Sequence, residues 1–494
     1  MKESVILLFP IALPVLAGVL WLIGKAPKRK YTTRVYVGGV LAVTALLCLF
    51  LLSGGERFFT LFYLTARLPI FFRLDGMGKL FCAAAALVWT AAGFFSFGYL
   101  EGQPENKRFF GFYLIGYGVM NALCFSGNLI TFYAFYEMLT LLTMPLVLHE
   151  RTKEAVFAGL KYLFFSLCGA YMVLFGLYFV YRYSNTLSFT ARGVLDMGLA
   201  EGHEGLLLLA AFLMLLGFSV KAGMFPFHSW LPVAHPVAPA PASAVLSAVI
   251  VKAGVLGIVR AAYYIFGAAF LRGSWVQTAM LTLSLVTVFL GSMLACLEDG
   301  LKKRLAYSTV SQVSYILFGL FLFDTVGMTG ALLQTLFHAV IKGGLFLCAG
   351  AVICQTGRKR AGELAGIGRV MPVTMACFTV CSLALIGIPP ASGFIGKWFL
   401  CTGALHTKLP VFSWLGPVVL LLSALLTAAY LLPVAIRSFF AGPEPSDALL
   451  EEKKKDPKSG MLLPLLILAA LSLLLGIVPE TLIESLSALA GQLI

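Results

Sequence analysis

Charged side chains are scarce in this chain. Of 494 residues only 12% are charged while 60% are hydrophobic, and the mean hydropathy is +0.94. That balance excludes an ordinary soluble domain, whose surface needs about twice that share of charge. Zinc and iron–sulfur spacings are absent: the ten cysteines form no C-x-x-C pair and no Cys/His cluster, so no metal site is expected. Neither G-x-G-x-x-G nor G-x-x-x-x-G-K-[ST] occurs, which excludes the common nucleotide cradles, and no cofactor is expected in this chain. Acidic residues are the rarer charge, 22 against 36 basic, for a net +14. In a soluble chain that excess would suggest nucleic acid. Here the cations lie in short loops between apolar runs, so membrane topology accounts for them and no nucleic-acid partner is expected.

What is abundant is apolar sequence in long runs. A helical span takes roughly 20 such residues, and roughly 30 to 35 residues per span and loop gives on the order of fourteen to sixteen spans. The runs predict helices over 4–24, 34–53, 77–99, 109–126, 128–148, 156–181 and 205–230, then 243–266, 275–297, 304–323, 327–356, 370–404, 411–436 and 460–478. The first is too long for a signal-peptide core and lacks a convincing cleavage site, so it reads as a retained helix. With fourteen spans, Lys and Arg in the loops after odd-numbered helices outnumber those on the other side by more than two to one. That bias puts the odd loops in the cytoplasm and both termini on the non-cytoplasmic side of the plasma membrane. The charged stretch 444–458 reads as a solvated linker, and the tail after Pro479 as an amphipathic segment at the interface.

A charge at a helix centre costs on the order of 3 kcal/mol on insertion scales, so ionisable residues inside these runs ask for an explanation. Glu137 lies in the middle of ITFYAFYEMLTLLTMPLVLH. Lys221 precedes Gly223, Pro226 and Pro232, which should break its helix and leave carbonyls for water or the ammonium to satisfy. A second break is expected at Pro389 and Pro390, just before Lys397. Matching interruptions in two halves of a transporter point to inverted repeats with the ion site at the breaks. Lys252 lies in the helix after the first break, and His338 and Lys342 are four residues apart on one helix face. His228 and His235 are read either as loop caps or as part of an inlet. Burial disfavours the charged form of an amine, so such lysines can hold and pass protons, and a nearby carboxylate such as Glu137 can gate the exchange. Sodium is poorly served, since it wants several oxygen ligands.

In the segments FYEMLTLLTMP, VKAGMFPFHSWLPVAHPVAPAPASAVLSAVIVKAG, LKKRLAYSTVSQVSYILFGL, FHAVIKGGLFLCAGAV and GIPPASGFIGKWFL the chain closely resembles the antiporter-like proton-translocating membrane subunits of complex I, multi-subunit sodium/proton antiporters and membrane-bound hydrogenases. The resemblance runs from about Gly76 to Tyr430. It implies an all-α integral membrane protein with about fourteen transmembrane helices, two inverted five-helix repeats, and helices seven and twelve broken. The division it implies is 1–105 for helices one to three, 106–266 and 267–440 for the repeats, and 441–494 for a charged loop, a last helix and a short tail. By motif, Glu137 and Lys221 look like the coupling pair, Lys252 the central relay, His338 and Lys342 the linking residues and Lys397 the terminal lysine. Partners would be other membrane subunits of one complex and the lipid bilayer, with protons moved by this chain and any sodium by the complex. No active site is expected in the chain itself, and the complex would be either a proton-translocating oxidoreductase, of NADH-quinone or hydrogenase type, or a redox-free antiporter. Val233 departs from the family, whose loop usually has a charge there. Some members carry glutamate where Lys397 stands, which weighs against that branch. A stand-alone solute carrier and a scaffold with merely structural charges are the rival readings.

Overall fold

A computed structural model of the protein describes residues 2–25, 30–65, 68–103, 105–440 and 456–494. Its main elements begin with a strand β1 (Lys2–Glu3), helices α1 (Phe9–Ile23) and α2 (Lys30–Leu52), strands β2 (Arg57–Thr65) and β3 (Leu68–Leu74), and helices α3 (Gly76–Tyr99), α4 (Asn106–Cys124), α5 (Leu129–Val147) and α6 (Lys153–Arg182). There follow α7 (Glu204–Ala222), α8 (Leu231–Val237), α9 (Ala240–Ile265), α10 (Trp275–Leu297), α11 (Leu301–Phe321) and α12 (Thr325–Thr356). Last come α13 (Pro372–Ile386), α14 (Ser392–Leu405), α15 (Pro410–Phe440), α16 (Ser459–Ile477) and α17 (Glu480–Leu493).

Helix ends follow local chemistry. Asn128, Thr152 and Asp324 each accept the N–H of the residue three further on, at 2.7, 3.1 and 2.7 Å, which satisfies a donor the first turn would otherwise orphan. At the other ends Gly223, Gly357 and Gly387 sit at φ of 81°, 72° and 94°, a left-handed conformation that closes helices and suits glycine.

All fourteen predicted segments are helical, two of them interrupted. Among the described residues eleven helical stretches are long and apolar enough to cross a membrane. The others fall short for visible reasons: α4 and α11 begin on cations and carry many polar side chains, and the break between α13 and α14 leaves two short pieces. The expectation of a purely helical chain misses one feature. β2 and β3 form an antiparallel hairpin from Arg57↔Leu74 to Thr65↔Leu68, and β1 adds in parallel at Lys2↔Arg57. The cause is a period-two pattern in β3, where Ile70, Phe72 and Leu74 turn inward and Phe72 meets Phe135 of α5 at 5.5 Å. The charged linker expected at 444–458 lies outside the described residues as far as 455, but Asp456 accepts from the backbone N–H groups of Val373 and Thr374 and so caps α13. The tail forms α17, which buries Leu486, Ala490 and Leu493.

α9 and α12 occupy the centre, almost wholly enclosed by the other helices. Near the hairpin, Asp75 both caps α3, accepting from Gly78 at 2.8 Å, and pairs with Arg260 of α9 at 2.5 and 2.8 Å. Arg260 is buried between the rings of Phe189 and Tyr264, with centroids 4.6 and 4.7 Å away. Removing one partner of a buried pair strands the other charge. Asp75→Ala should therefore cost about 3–5 kcal/mol, read as a lower thermal unfolding midpoint of the purified protein, whereas Glu56→Ala, whose pairing with Arg73 is exposed, should change it little.

A buried lysine axis with two helix breaks

Five lysines are buried: Lys221, Lys252, Lys302, Lys342 and Lys397. Each is held by a main-chain carbonyl, and among the described residues none of the five pairs with a carboxylate within 4.0 Å. Lys221, at the end of α7, reaches across to α5, donating to the Tyr136 carbonyl at 3.0 Å and to Thr140 Oγ1 at 2.6 Å, with its Nζ 3.8 Å from the Tyr136 ring centre. These groups flank Glu137 on both sides in sequence. Glu137 itself is half-buried, and its Oε1 is enclosed with no hydrogen-bond partner. The expected pair of Glu137 and Lys221 is thus a pair of neighbours and not a direct ion pair.

The first break also differs from expectation. The carbonyl beside Lys221, that of Val220, accepts from the Gly223 N–H at 3.1 Å and from Trp230 Nε1 at 3.0 Å, so the backbone and a tryptophan, and not the ammonium, satisfy it. At the second break the expected arrangement occurs: Lys397 Nζ donates to the carbonyls of Leu385 and Ile386 at 2.7 and 2.9 Å, where α13 stops at Gly387. Both breaks contain a cis proline, Pro226 and Pro390. Pro389 precedes the second and Gly223 the first.

Between the breaks two ionisable side chains of the axis meet directly. Lys252 Nζ and His338 Nδ1 are 2.6 Å apart, and Lys252 also donates to the Ser247 carbonyl at 2.7 Å. Ser247 lies in a π-helical turn, Leu246–Ile250, whose wider bonding pattern brings that carbonyl towards the lysine side chain. At this distance one nitrogen donates to the other, with a single hydrogen between them. His338 Nε2 is buried without a partner. Lys342, one turn on, turns away from His338 to α11, donating to the Leu305 carbonyl at 2.9 Å and to Ser308 Oγ. Lys252, Lys342 and Lys397 all lie within Coulombic range of His338.

His228 is half-buried in the turn between α7 and α8, with an unpartnered Nδ1. His235 lies fully buried in α8, both ring nitrogens unpartnered, stacked on Phe346 at 4.6 Å and within Coulombic range of Lys342. It belongs to the axis by position more than to an exposed loop.

Several members of this polar interior escape the sequence reading. Lys302 counts there as a loop cation, yet its Nζ is buried against the Ala238 carbonyl at 2.7 Å. Gln334 and Gln312 meet at 3.3 Å, and Gln334 Oε1 faces Gly396, beside Lys397. Thr140 and Ser308 supply hydroxyls. A signal was present: Ser308, Gln312 and Tyr315 recur at helical spacing in α11, a polar stripe in an apolar helix.

These features define a class, a multi-pass helical membrane protein of the antiporter-like kind with polar side chains enclosed around two interrupted helices. Residues 126–426 match the family model of the NADH:quinone oxidoreductase/Mrp antiporter transmembrane domain, and the chain belongs to that family. It is 31% identical over 415 residues to NADH-quinone oxidoreductase subunit N of Desulforudis audaxviator (strain MP104C), covering 82% of this chain and 80% of the relative. It is 26% identical to a Na(+)/H(+) antiporter subunit of Alkalihalophilus pseudofirmus (strain ATCC BAA-2126 / JCM 17055 / OF4), over 99% of this chain and 97% of the other. A chain of the Mrp complex from Dietzia sp. DQ12-45-1b shares the fold with a TM-score of 0.85 at 22% identity, covering 99% of this chain and 97% of that one.

Trp230→Phe removes one of the two hydrogen bonds to the Val220 carbonyl and leaves the other, from Gly223 N–H, in place. A loss of about 0.5–1.5 kcal/mol is expected in thermal or denaturant unfolding of the detergent-solubilised protein.

Proposed function

We propose that this chain is a proton-translocating, antiporter-like subunit of a multi-subunit energy-converting complex in the plasma membrane. Protons would pass Glu137 and Lys221, then Lys252 with His338, then Lys342, and end at Lys397. The observation that carries this reading is the buried contact of Lys252 Nζ with His338 Nδ1 at 2.6 Å, with the buried amines of Lys221, Lys342 and Lys397 elsewhere in the same interior. Lysines held by neutral carbonyls, with no bound carboxylate to fix their charge, can lose and regain a proton. The axis is not continuous, so transfer needs water or side-chain motion between Lys221 and Lys252 and between His338 and Lys397. Gln312, Gln334 and His235 supply polar stations there.

The proposal includes fourteen crossings, with two inverted repeats over 106–266 and 267–440, a preceding unit 1–105 and a closing unit 441–494. Both termini would lie outside the cytoplasm, as the cation bias favours. Partners would be other membrane subunits. This is supported by the relatives, one named as a subunit of a quinone oxidoreductase, the other as a subunit of an antiporter. No redox or hydrolytic step is assigned to the chain.

A second reading is a subunit of a sodium/proton antiporter with no redox partner, favoured by the nearly full-length match to the antiporter relative. Sodium would then cross elsewhere in the complex or on carbonyls at the breaks, because Glu137 offers too few oxygens alone. A self-sufficient solute carrier has less support.

The test is proton movement by the intact complex in sealed vesicles. Lys221→Ala and His338→Ala should each lower it by about a hundredfold, the scale of losing a positioned proton carrier, with assembly on native gels unchanged. Normal flux in an assembled Lys221→Ala complex would overturn the relay. Loss of assembly on Glu137→Gln with flux per complex unaltered would instead support a scaffold.

A further inference from the structure

An amide keeps its donor and its acceptor on different atoms, whereas a hydroxyl gives and takes a proton on one oxygen. Gln312 and Gln334 are therefore weak links for a proton moving between Lys342 and Lys397. Hydroxyls are plentiful where α11 packs against α15. Ser308, Ser311 and Tyr315 recur on α11 at spacings of three and four, and Ser423, Thr427 and Tyr430 do the same on α15, which puts each set on one helix face. All six are buried.

The two stripes run antiparallel and meet rung by rung. Tyr430 faces Ser308 and donates to Thr427 Oγ1 at 3.3 Å. Ser311 and Ser423 are 3.2 Å apart, and Ser292 of α10 closes a ring with them at 2.8 and 2.6 Å. Tyr315 faces Ser423 and donates to the Leu420 carbonyl at 2.6 Å. At one end of this ladder Ser308 Oγ accepts from Lys342, and at the other the Tyr315 ring centre lies 5.1 Å from Lys397 Nζ. Seven residues of helix separate Ser308 from Tyr315, an axial distance of about 10 Å. Hydroxyl contacts between membrane helices also serve packing. Packing sets no condition on where such contacts begin and end, yet these begin at one buried lysine and end beside the next.

We infer that protons pass from Lys342 to Lys397 along this ladder, with Ser308, Tyr430, Thr427, Ser423 and Tyr315 as carriers. Each hydroxyl oxygen accepts a proton as its own leaves for the next oxygen. Lys342 ends as a neutral amine, Lys397, neutral at the start, ends as an ammonium, and every hydroxyl is restored. Two steps need side-chain motion. Thr427, which donates to the Ser423 carbonyl at 2.8 Å, turns towards the Ser423 hydroxyl one helical turn away, and the Lys397 stem swings from the Leu385 and Ile386 carbonyls to the Tyr315 oxygen. This route rests on the proton-translocating function proposed above and specifies its last segment.

The experiment measures proton movement per assembled complex in sealed vesicles for Tyr430→Phe, Ser423→Ala and the two combined. Neither change strands a donor: without the Tyr430 hydroxyl, Thr427 keeps the Ser423 carbonyl and Ser308 the Leu305 carbonyl, and without the Ser423 hydroxyl, Ser292 and Ser311 keep each other. Native gels and thermal unfolding should therefore be unchanged. Each single variant should lower flux by about a hundredfold, the scale of a group that hands on a proton. The double variant should lose no more than either single one, because a series broken once is already blocked. Ser284→Ala, which removes a buried hydroxyl of α10 bound to the Met280 carbonyl and off the ladder, should leave flux as it was. Normal flux in assembled Tyr430→Phe or Ser423→Ala beside an inactive His338→Ala would overturn the ladder and leave the relay standing; normal flux in all three would overturn both. Losses that multiply in the double variant, an equal loss in Ser284→Ala, or a fall in unfolding midpoint that tracks the loss of flux would assign these hydroxyls to packing and overturn the inference.

Discussion

An ammonium group enclosed by apolar helices must find oxygen, and in this protein it finds main-chain carbonyls. Tyr136, Ser247, Ala238, Leu305 and the pair Leu385 and Ile386 each hold one buried lysine. A carbonyl dipole lowers the cost of the cation without neutralising it, so the bound state does not depend on keeping the proton. The buried Arg260 is the contrast. It is matched by Asp75 through two hydrogen bonds and serves to lock α9 to the start of α3. The buried guanidinium is paired with charge, and the buried amines with dipoles.

A carbonyl in a regular helix already accepts from the residue four further on and takes an ammonium only on its second lone pair, as Tyr136 and Leu305 do. A helix end does better: the stop at Gly387 frees two carbonyls for Lys397. The two breaks are alike in sequence yet finished differently: at the first, Gly223 N–H and Trp230 Nε1 both donate to the Val220 carbonyl, and Lys221 reaches α5 and the vicinity of Glu137 instead. Glu137 is thus only half-buried, while Lys252, His338 and Lys342 are fully enclosed.

Packing around the axis relies on close approach, because burial of apolar surface drives little association within lipid. Gly169 and Gly217 let α6 and α7 touch backbones, and Gly396 leaves room for the Gln334 amide beside Lys397. The same helix that yields its inner face to glycine carries its aromatic residues outward.

Periodicity and hydropathy by themselves determined the helices, both interruptions and four of the five buried lysines, because a charge in an apolar run is visible wherever the chain folds, whereas Lys302, at the head of α11, reads as a loop cation. Residues 68–74 show why short strands were less legible: a period-two pattern over so few positions is weak beside the long helical runs, and it gains meaning only once Phe72 has α5 to pack against. Partnership was decided by the tertiary structure alone. His338 and Lys342 share a helix face, yet His338 meets Lys252 and Lys342 meets α11. Which carbonyl an amine reaches, and whether Asp75 finds Arg260 185 residues away, depends on how distant helices cross, and no local spacing encodes that.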